Sequence, residues 1–376
     1  MKKVQFVILS VFFLTSGCNR SENGTEADTT PKVKKQKKDF SDLKISKNWE
    51  RICPRSSGWN MDKLGDVIDI FDDNKFSALV VIHRGKMVLG LGEPSKRYKV
   101  YSMRKSFVSA LYGIYSEKGK IDLSQKVTDT KIEFPEALSD TEKSATIVDL
   151  LMAKSGIYLP AALETDSMKK KRPVRGAYPS GTFWYYNNWD FNALGRIFIK
   201  KTGKTPFQAF YDDIALPTGM QDYRVSDGGW VNGKKGEMPG YYFNMSARDC
   251  ARFGELFLRS GKWRGNQVIP AKWITDSIKP MSSAGKGISY GYMWWVSPGK
   301  KHIGVETGKG TFSARGNWGQ YIIVIPSLDM VVVKLVDKNS GAKKKNRKET
   351  ADLLQKIIEA APDFKSEQKP AGCGKH

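Results

Sequence analysis

Apolar strand-like runs at both ends of the chain, with helical runs between them, predict an α+β fold. The expected architecture is one antiparallel sheet flanked by N- and C-terminal helices, with a large inserted, mainly helical region. Three observations carry this. Ala78-Leu79-Val80-Val81-Ile82 and residues 87–91 are apolar runs joined by the turn Arg84-Gly85-Lys86, the pattern of a β-hairpin. Strand patterns return at residues 292–296, 319–325 and 330–336. From Leu123 to Lys279 the strand signal is thin and helical spacing takes over.

Taken in order, residues 61–71 repeat apolar side chains at helical spacing, and the hairpin follows. Lys99-Val100-Tyr101 reads as a short extended piece after Gly92 and Pro94, leading into the apolar helix that opens at Ser102. Helices are expected at residues 147–152, 191–200, 206–214, 247–258 and 271–278, separated by loops rich in Gly, Pro and Trp. A last amphipathic helix covers residues 348–360, and no internal repeat is present. The 376 residues, 40% hydrophobic and 11% aromatic, suffice for one large packed domain or two smaller ones.

Residues 1–18 have the form of a targeting segment: Lys2 and Lys3, an apolar run from Val4 to Leu14, then Thr15-Ser16-Gly17-Cys18. Cys18 after Ser16-Gly17 resembles the lipobox of bacterial lipoproteins, with Thr15 where leucine is usual, so a plain secretory signal is the alternative. The expectation is an exported protein held to a membrane by lipid on Cys18. Residues 19–41 are polar, charged and poor in aromatics, a disordered tether. Residues 42–364 form the folded domain and residues 365–376 a tail. Export permits a disulfide. Cys53 and Cys373 flank the domain as a candidate pair, whereas Cys250 lies in a helical run as a buried thiol. The formal charge of +23 is spread widely, with short runs only at Lys34 to Lys38, Lys169 to Arg172 and Lys343 to Lys348. With no nucleic-acid motif, it reads as a lysine-rich surface compatible with anionic membranes or walls.

The chemistry centres on Tyr101-Ser102-Met103-Arg104-Lys105-Ser106-Phe107. Residues three apart share a helix face, so Lys105 can bring its amine to the Ser102 hydroxyl. A desolvated amine beside positive charge stays partly neutral and can take the serine proton. Helix N-terminal amides add a place to stabilise an oxyanion. The plain alternative is an N-cap serine with a solvated lysine. Ser-x-x-Lys also occurs at Ser41, Ser167, Ser283, Ser297, Ser340 and Ser366, but only Ser102 opens an apolar helix.

Two further stretches invite function. Gly181-Thr182-Phe183-Trp184-Tyr185-Tyr186-Asn187-Asn188 puts aromatics on a turn before a helix. A tyrosine there can pass a proton, or the stretch is simply core; spacing alone does not choose between Tyr185 and Tyr186. Thr311-Phe312-Ser313-Ala314-Arg315-Gly316-Asn317-Trp318-Gly319-Gln320 precedes an apolar strand. It is either a site edge where glycine admits close backbone approach or the start of a glycine-rich hairpin. Only His83, His302 and His376 are present, and Gly-x-Ser-x-Gly is missing, so Ser-His-Asp catalysis is disfavoured. No His/Cys metal cluster or phosphate loop appears, and neither a metal nor a cofactor is expected.

Ser-x-x-Lys, then Tyr-x-Asn, then a glycine-rich strand near the C-terminus resembles the serine β-lactamase and penicillin-binding-protein superfamily. The closer resemblance is to its class C-related branch of family VIII carboxylesterases, D-aminopeptidases and 6-aminohexanoate-dimer hydrolases. It runs from about Asp62 to Ile358 and includes Asp149-Leu150-Leu151-Met152-Ala153-Lys154-Ser155-Gly156, Met245-Ser246-Ala247-Arg248-Asp249 and Tyr290-Gly291-Tyr292-Met293-Trp294-Trp295. The resemblance implies a β-lactamase-like fold and an acyl-enzyme on Ser102, with Lys105 as its partner. Tyr186, nine residues before Gly195, becomes the proton-transfer tyrosine and Asn188 a substrate ligand. The oxyanion hole is implied at the amides of Ser102 and Ala314, with Gly316 and Gln320 at the substrate edge. The third motif departs from the family: Thr311 stands where β-lactamases carry Lys or His, while His302-Ile303-Gly304 lies too far upstream and Arg315 is the other source of charge. The expectation is hydrolysis of small esters, amides or peptides. The alternatives are a penicillin-recognising D-amino-acid peptidase or β-lactamase, and an inactive wall-binding lipoprotein.

Overall fold

The computed structural model describes residues 49–344 and 347–362, all of which belong to one compact unit. The targeting segment with Cys18, the tether, the tail and Cys373 lie outside the described residues. Cys53 is exposed and has no disulfide partner among the described residues, and Cys250 is buried as expected. Among the described residues no helix is long and apolar enough to cross a membrane.

The chain opens with α1 (Met61–Asp73), β1 (Ala78–His83), β2 (Lys86–Gly92), β3 (Tyr98–Lys99) and α2 (Arg104–Glu117). Then come α3 (Ile147–Leu151), α4 (Asp166–Lys171), α5 (Asn188–Thr202), α6 (Pro206–Phe210) and α7 (Leu216–Thr218). The middle continues with β4 (Gly228–Val231), β5 (Gly240–Met245), α8 (Ala247–Leu258), β6 (Lys262–Trp263), β7 (Asn266–Gln267) and α9 (Ala271–Ser277). Five short strands follow: β8 (Ser282–Ser283), β9 (Ser289–Tyr290), β10 (Trp295–Val296), β11 (Lys301–His302) and β12 (Val305–Glu306). The chain closes with β13 (Phe312–Gly316), β14 (Gln320–Ile325), β15 (Met330–Leu335) and α10 (Arg347–Ala360).

The main sheet has eight antiparallel strands in the order β2-β1-β15-β14-β13-β10-β9-β8. Its central strands are buried on both faces, which is why they read as unbroken apolar runs. Alternation deals their side chains to two cores. Leu79, Val81, Ile323 and Val332 pack with Leu64, Val67, Leu353 and Ile357 of α1 and α10. Val80, Ile82, Ile322 and Val333 pack with Phe107 of α2 and Phe253 of α8. The expected layers are therefore present, with terminal helices on one face and the inserted helices on the other.

Two details of the insertion differ from the sequence reading. The middle region holds a second sheet, β3-β5-β4, where the strand signal is thin. Gly228 and Gly229 open β4 and mixed polar and aromatic residues fill β5, so neither shows clean alternation; pairing such as Trp230↔Tyr241 makes them strands. The helix expected over residues 206–214 ends at Phe210 and widens into a π turn, Tyr211–Ala215. Pro217 has no N–H for the Asp213 carbonyl, which loosens the turn there.

One buried charge marks the sheet–helix layer. Lys334 on β15 is 1% exposed, bonds Thr350 Oγ1 at 2.7 Å and lies 3.9 Å from the Phe76 ring centre. Burial pushes its pKa down to about 7. The unfolded chain holds this proton up to the ordinary lysine range and the folded chain does not, so folding is penalised as pH falls through that interval. The melting temperature is expected to rise from about pH 7 towards pH 10. Calorimetry on Lys334→Met should show that part of the rise flattened.

Candidate active site

Ser102 lies in a single 3-10 turn, Tyr101–Met103, that runs straight into α2. Tyr101 takes φ 48°, a left-handed conformation uncommon for a side-chain-bearing residue. The turn is over-determined by its neighbours. Val100 N–H donates to the Phe243 carbonyl at 3.1 Å and Met103 N–H to the Val100 carbonyl at 3.1 Å. On the other side, a Cβ on Gly316 would sit 2.3 Å from Val100 O, so only glycine lets β13 come this close. Behind the turn, α2 is buried on every side, with Phe107 against Phe210, Phe243 and Phe253.

One helical turn on, Lys105 Nζ and Ser102 Oγ are hydrogen-bonded at 2.8 Å. Lys105 is 1% exposed. Burial, and then the Arg104 guanidinium, hold its pKa well below the ordinary lysine value. The amine stands 4.6 and 4.7 Å from the ring centres of Tyr186 and Phe191. Burial and Arg104 both favour the neutral amine, which lies in reach of the serine proton. Arg104 itself is buried, held by Asn192 Oδ1 at 3.3 Å and the face of Tyr241 at 4.8 Å. The sequence reading passed over Arg104, although its place beside Lys105 was a visible signal.

The structure separates the two tyrosines. Tyr185 donates its hydroxyl to the Met168 carbonyl at 2.7 Å, away from Ser102. Tyr186 faces the pair: burial raises its pKa, while the Ser102 hydroxyl, Arg104 and Arg315 pull it back down. Its ring stacks on Trp295 at 5.4 Å, and Tyr290 and Trp184 extend this aromatic wall. Asn188 opens α5 and spends its Nδ2 on the Leu163 carbonyl at 2.8 Å, leaving a buried Oδ1 with no partner among the described residues.

The third motif is built from two segments. Thr311 is buried just before β13 and its hydroxyl turns back to the Thr307 carbonyl at 3.4 Å. His302, upstream by sequence, returns through the β11–β12 hairpin to the face of β13. Its Nδ1 lies 2.6 Å from Ser297 Oγ and its Nε2 2.8 Å from Ser313 Oγ. Arg315 donates Nη2 to His302 Nε2 at 3.1 Å and Nε to Ser313 Oγ at 2.8 Å, and covers the Trp295 ring at 5.1 Å. A guanidinium only donates, so His302 Nε2 accepts and Nδ1 carries the proton. Burial and Arg315 keep the imidazole neutral. Arg315 has no carboxylate partner among the described residues, and burial pushes its pKa down to about 10. The distance of His302 along the chain is thus no barrier, because the hairpin closes it.

Two expected site residues are corrected. Ser297 N–H donates to the Thr311 carbonyl at 2.9 Å, so odd-numbered residues of this strand turn their backbone groups towards β10. Alternation turns Ala314 towards β14, where it pairs with Ile322. The Ala314 amide therefore belongs to the ladder. Past Trp295, where β10 pairing ends, alternation turns the Arg315 amide to the open side. Gln320 is fully buried: its Nε2 donates to the Val336 carbonyl at 2.6 Å and its Oε1 accepts from Val336 N–H at 2.9 Å. It fastens the end of β15 and is not a substrate ligand. Among the other Ser-x-x-Lys serines, Ser297 is bound to His302 and Ser340 donates to the Lys75 carbonyl, whereas Ser41 and Ser366 lie outside the described residues.

The model of the family described as β-lactamase matches residues 77–356. This chain belongs to the β-lactamase family. It is a serine hydrolase of the β-lactamase and penicillin-binding-protein superfamily, as the resemblance implied. The 6-aminohexanoate-dimer hydrolase of Paenarthrobacter ureafaciens is 21% identical over 281 residues, covering 64% of this chain and 66% of that protein. The octameric penicillin-binding protein homologue from Pyrococcus abyssi superposes with TM-score 0.58 at 17% identity, covering 80% of this chain and 78% of that one. EstCE1, a hydrolase with promiscuous acyltransferase activity, does so with TM-score 0.58 at 15% identity, covering 78% and 98%.

If Gln320 is structural, Gln320→Ala leaves both Val336 backbone groups buried and unpaired. The variant is expected to lose about 1–3 kcal/mol of unfolding free energy with KM for a small ester unchanged. A raised KM at unchanged stability would return Gln320 to the substrate.

Proposed function

We propose that this β-lactamase-family hydrolase cleaves small esters and amides through an acyl-enzyme on Ser102. The observation that carries the reading is the buried Lys105 amine 2.8 Å from Ser102 Oγ, its pKa held down by burial and by Arg104. Ser102 Oγ attacks the carbonyl carbon as its proton passes to Lys105 Nζ. The oxyanion accepts from the Ser102 amide and from the open-side Arg315 amide of β13. Tyr186, kept protonated by burial, donates to the leaving alkoxide or amine and recovers the proton from Lys105. Water then attacks the ester on Ser102 by the reverse relay and releases the acid. The unpartnered Oδ1 of Asn188 supports its accepting from a substrate amide.

Arg315, a cation lacking a carboxylate partner, supports substrates that carry an anionic group near an apolar stretch lying on Trp295 and Trp184. The same feature favours the second reading, a penicillin-recognising peptidase acting on D-amino-acid peptides, because a terminal carboxylate would meet Arg315. An inactive wall-binding lipoprotein is the weaker reading, since a binding role gives no reason to desolvate Lys105 against a serine. Export, with a lipid on Cys18, completes the proposal and rests on the sequence of residues 1–18.

Intact mass after fluorophosphonate treatment is the direct test. One adduct is expected on the wild type and none on Ser102→Ala; no adduct on folded wild type would end the hydrolase mechanism. Tyr186→Phe should slow turnover by about 10², and Lys105→Ala at least as much.

The pH profile follows from the two shifts. Activity is lost as pH falls through the depressed Lys105 pKa, because the protonated amine cannot take the serine proton. It is retained on the alkaline side until Tyr186 ionises above its ordinary value. Arg104→Gln removes one cause of the Lys105 shift, so the acid limb of kcat/KM should move to higher pH. An unmoved limb would mean that burial alone sets the amine.

A further inference from the structure

Five large apolar side chains are exposed among the described residues, and four of them lie in one stretch, residues 163–183: Leu163, Val174, Tyr178 and Phe183. Val174 is 80% exposed. Tyr178 and Phe183 stack face to face, ring centres 3.9 Å apart, as one flat aromatic plate. The same stretch carries Lys169, Lys170 and Lys171 on α4, all exposed. The arginines after them are already matched, Arg172 with Glu164 and Arg175 with Glu136 and Glu142. The unspent charge of the stretch is therefore three lysines against Asp166.

This surface is rigidly presented. The Leu163 carbonyl accepts from Asn188, the Met168 carbonyl from Tyr185, and Gly181 N–H donates to the Lys154 carbonyl at 2.8 Å. Those bonds fasten the stretch to the segment that leads into α5.

We propose that residues 163–183 are a docking surface for an anionic lipid bilayer, independent of any lipid on Cys18 and of the substrate reading above. Val174 and the Tyr178–Phe183 plate enter the headgroup boundary, where aromatic rings are favoured. Lys169, Lys170 and Lys171 lie against the lipid phosphates. The charge decides the occupant: a second copy docked face to face would set the three lysines against their own kind, whereas an anionic surface satisfies them.

The test is co-sedimentation of the full chain with vesicles of phosphatidylglycerol and phosphatidylcholine, and with phosphatidylcholine alone. Residues 1–41 are common to every variant, so the readout is the excess binding to the anionic vesicles. That excess should fall by about tenfold or more in Lys169→Glu/Lys170→Glu/Lys171→Glu and in about 0.5 M salt. Turnover of a soluble ester and elution volume should stay as in the wild type. Val174→Asp, at a side chain with little packing to lose, is the second variant and should also bind less. Wild-type vesicle binding by either variant overturns the proposal, as does equal binding to both vesicle types. A change of oligomeric state with vesicle binding intact would reassign the surface to a second copy.

Discussion

An amine without solvent and without a carboxylate is the constraint the rest of the molecule serves. Lys105 is all but inaccessible and reaches Ser102 Oγ at 2.8 Å. Keeping it there costs solvation free energy that a surface lysine never loses. The fold meets that cost by burying α2 on every side between the main sheet and the inserted helices. Arg104, the next residue, adds a like charge that makes the neutral form more favourable still. The strained φ of Tyr101 persists for the same reason: β13, β5 and α2 leave the turn no alternative.

The third motif shows how one electrostatic role can be rebuilt from different residues. Thr311 carries no charge and turns its hydroxyl into the backbone. The cation comes instead from Arg315, oriented by Ser313 and by a neutral His302 that is itself held by Ser297. Arg315 also sits on Trp295, whose other neighbour is Tyr186. Trp295 thus links the guanidinium of Arg315 to the ring of Tyr186. That coupling supports substrates with an apolar stretch and an anionic end over a bare carbonyl compound.

Much of this was legible without coordinates. The terminal strands could be read because they are buried on both faces and so run apolar without interruption. Ser102 and Lys105 could be read because the i, i+3 spacing before an apolar helix brings two side chains to one face. Gly316 was read as a place where a ligand comes close or as a hairpin entry; what comes close to it in the structure is the Val100 carbonyl. What resisted reading depended on partners far along the chain. Strand β5 is a strand because it lies between β3 and β4, and Gln320 is structural because Val336 comes beside it. The direction of the Ala314 amide follows from pairing with β14, which a string of residues does not reveal.

The sequence by itself determined the layered α+β architecture, the family and the Ser102–Lys105 pair. The architecture and the pair are written in local periodicity and spacing, which helix and strand geometry converts into direction; the family was legible through the resemblance of motifs taken in order. Only the tertiary structure decided which tyrosine faces the serine, that His302 joins Arg315, and which amide remains free on β13. Those outcomes are set by hydrogen-bond partners and burial between segments tens to hundreds of residues apart, and such contacts leave no periodic trace in the chain.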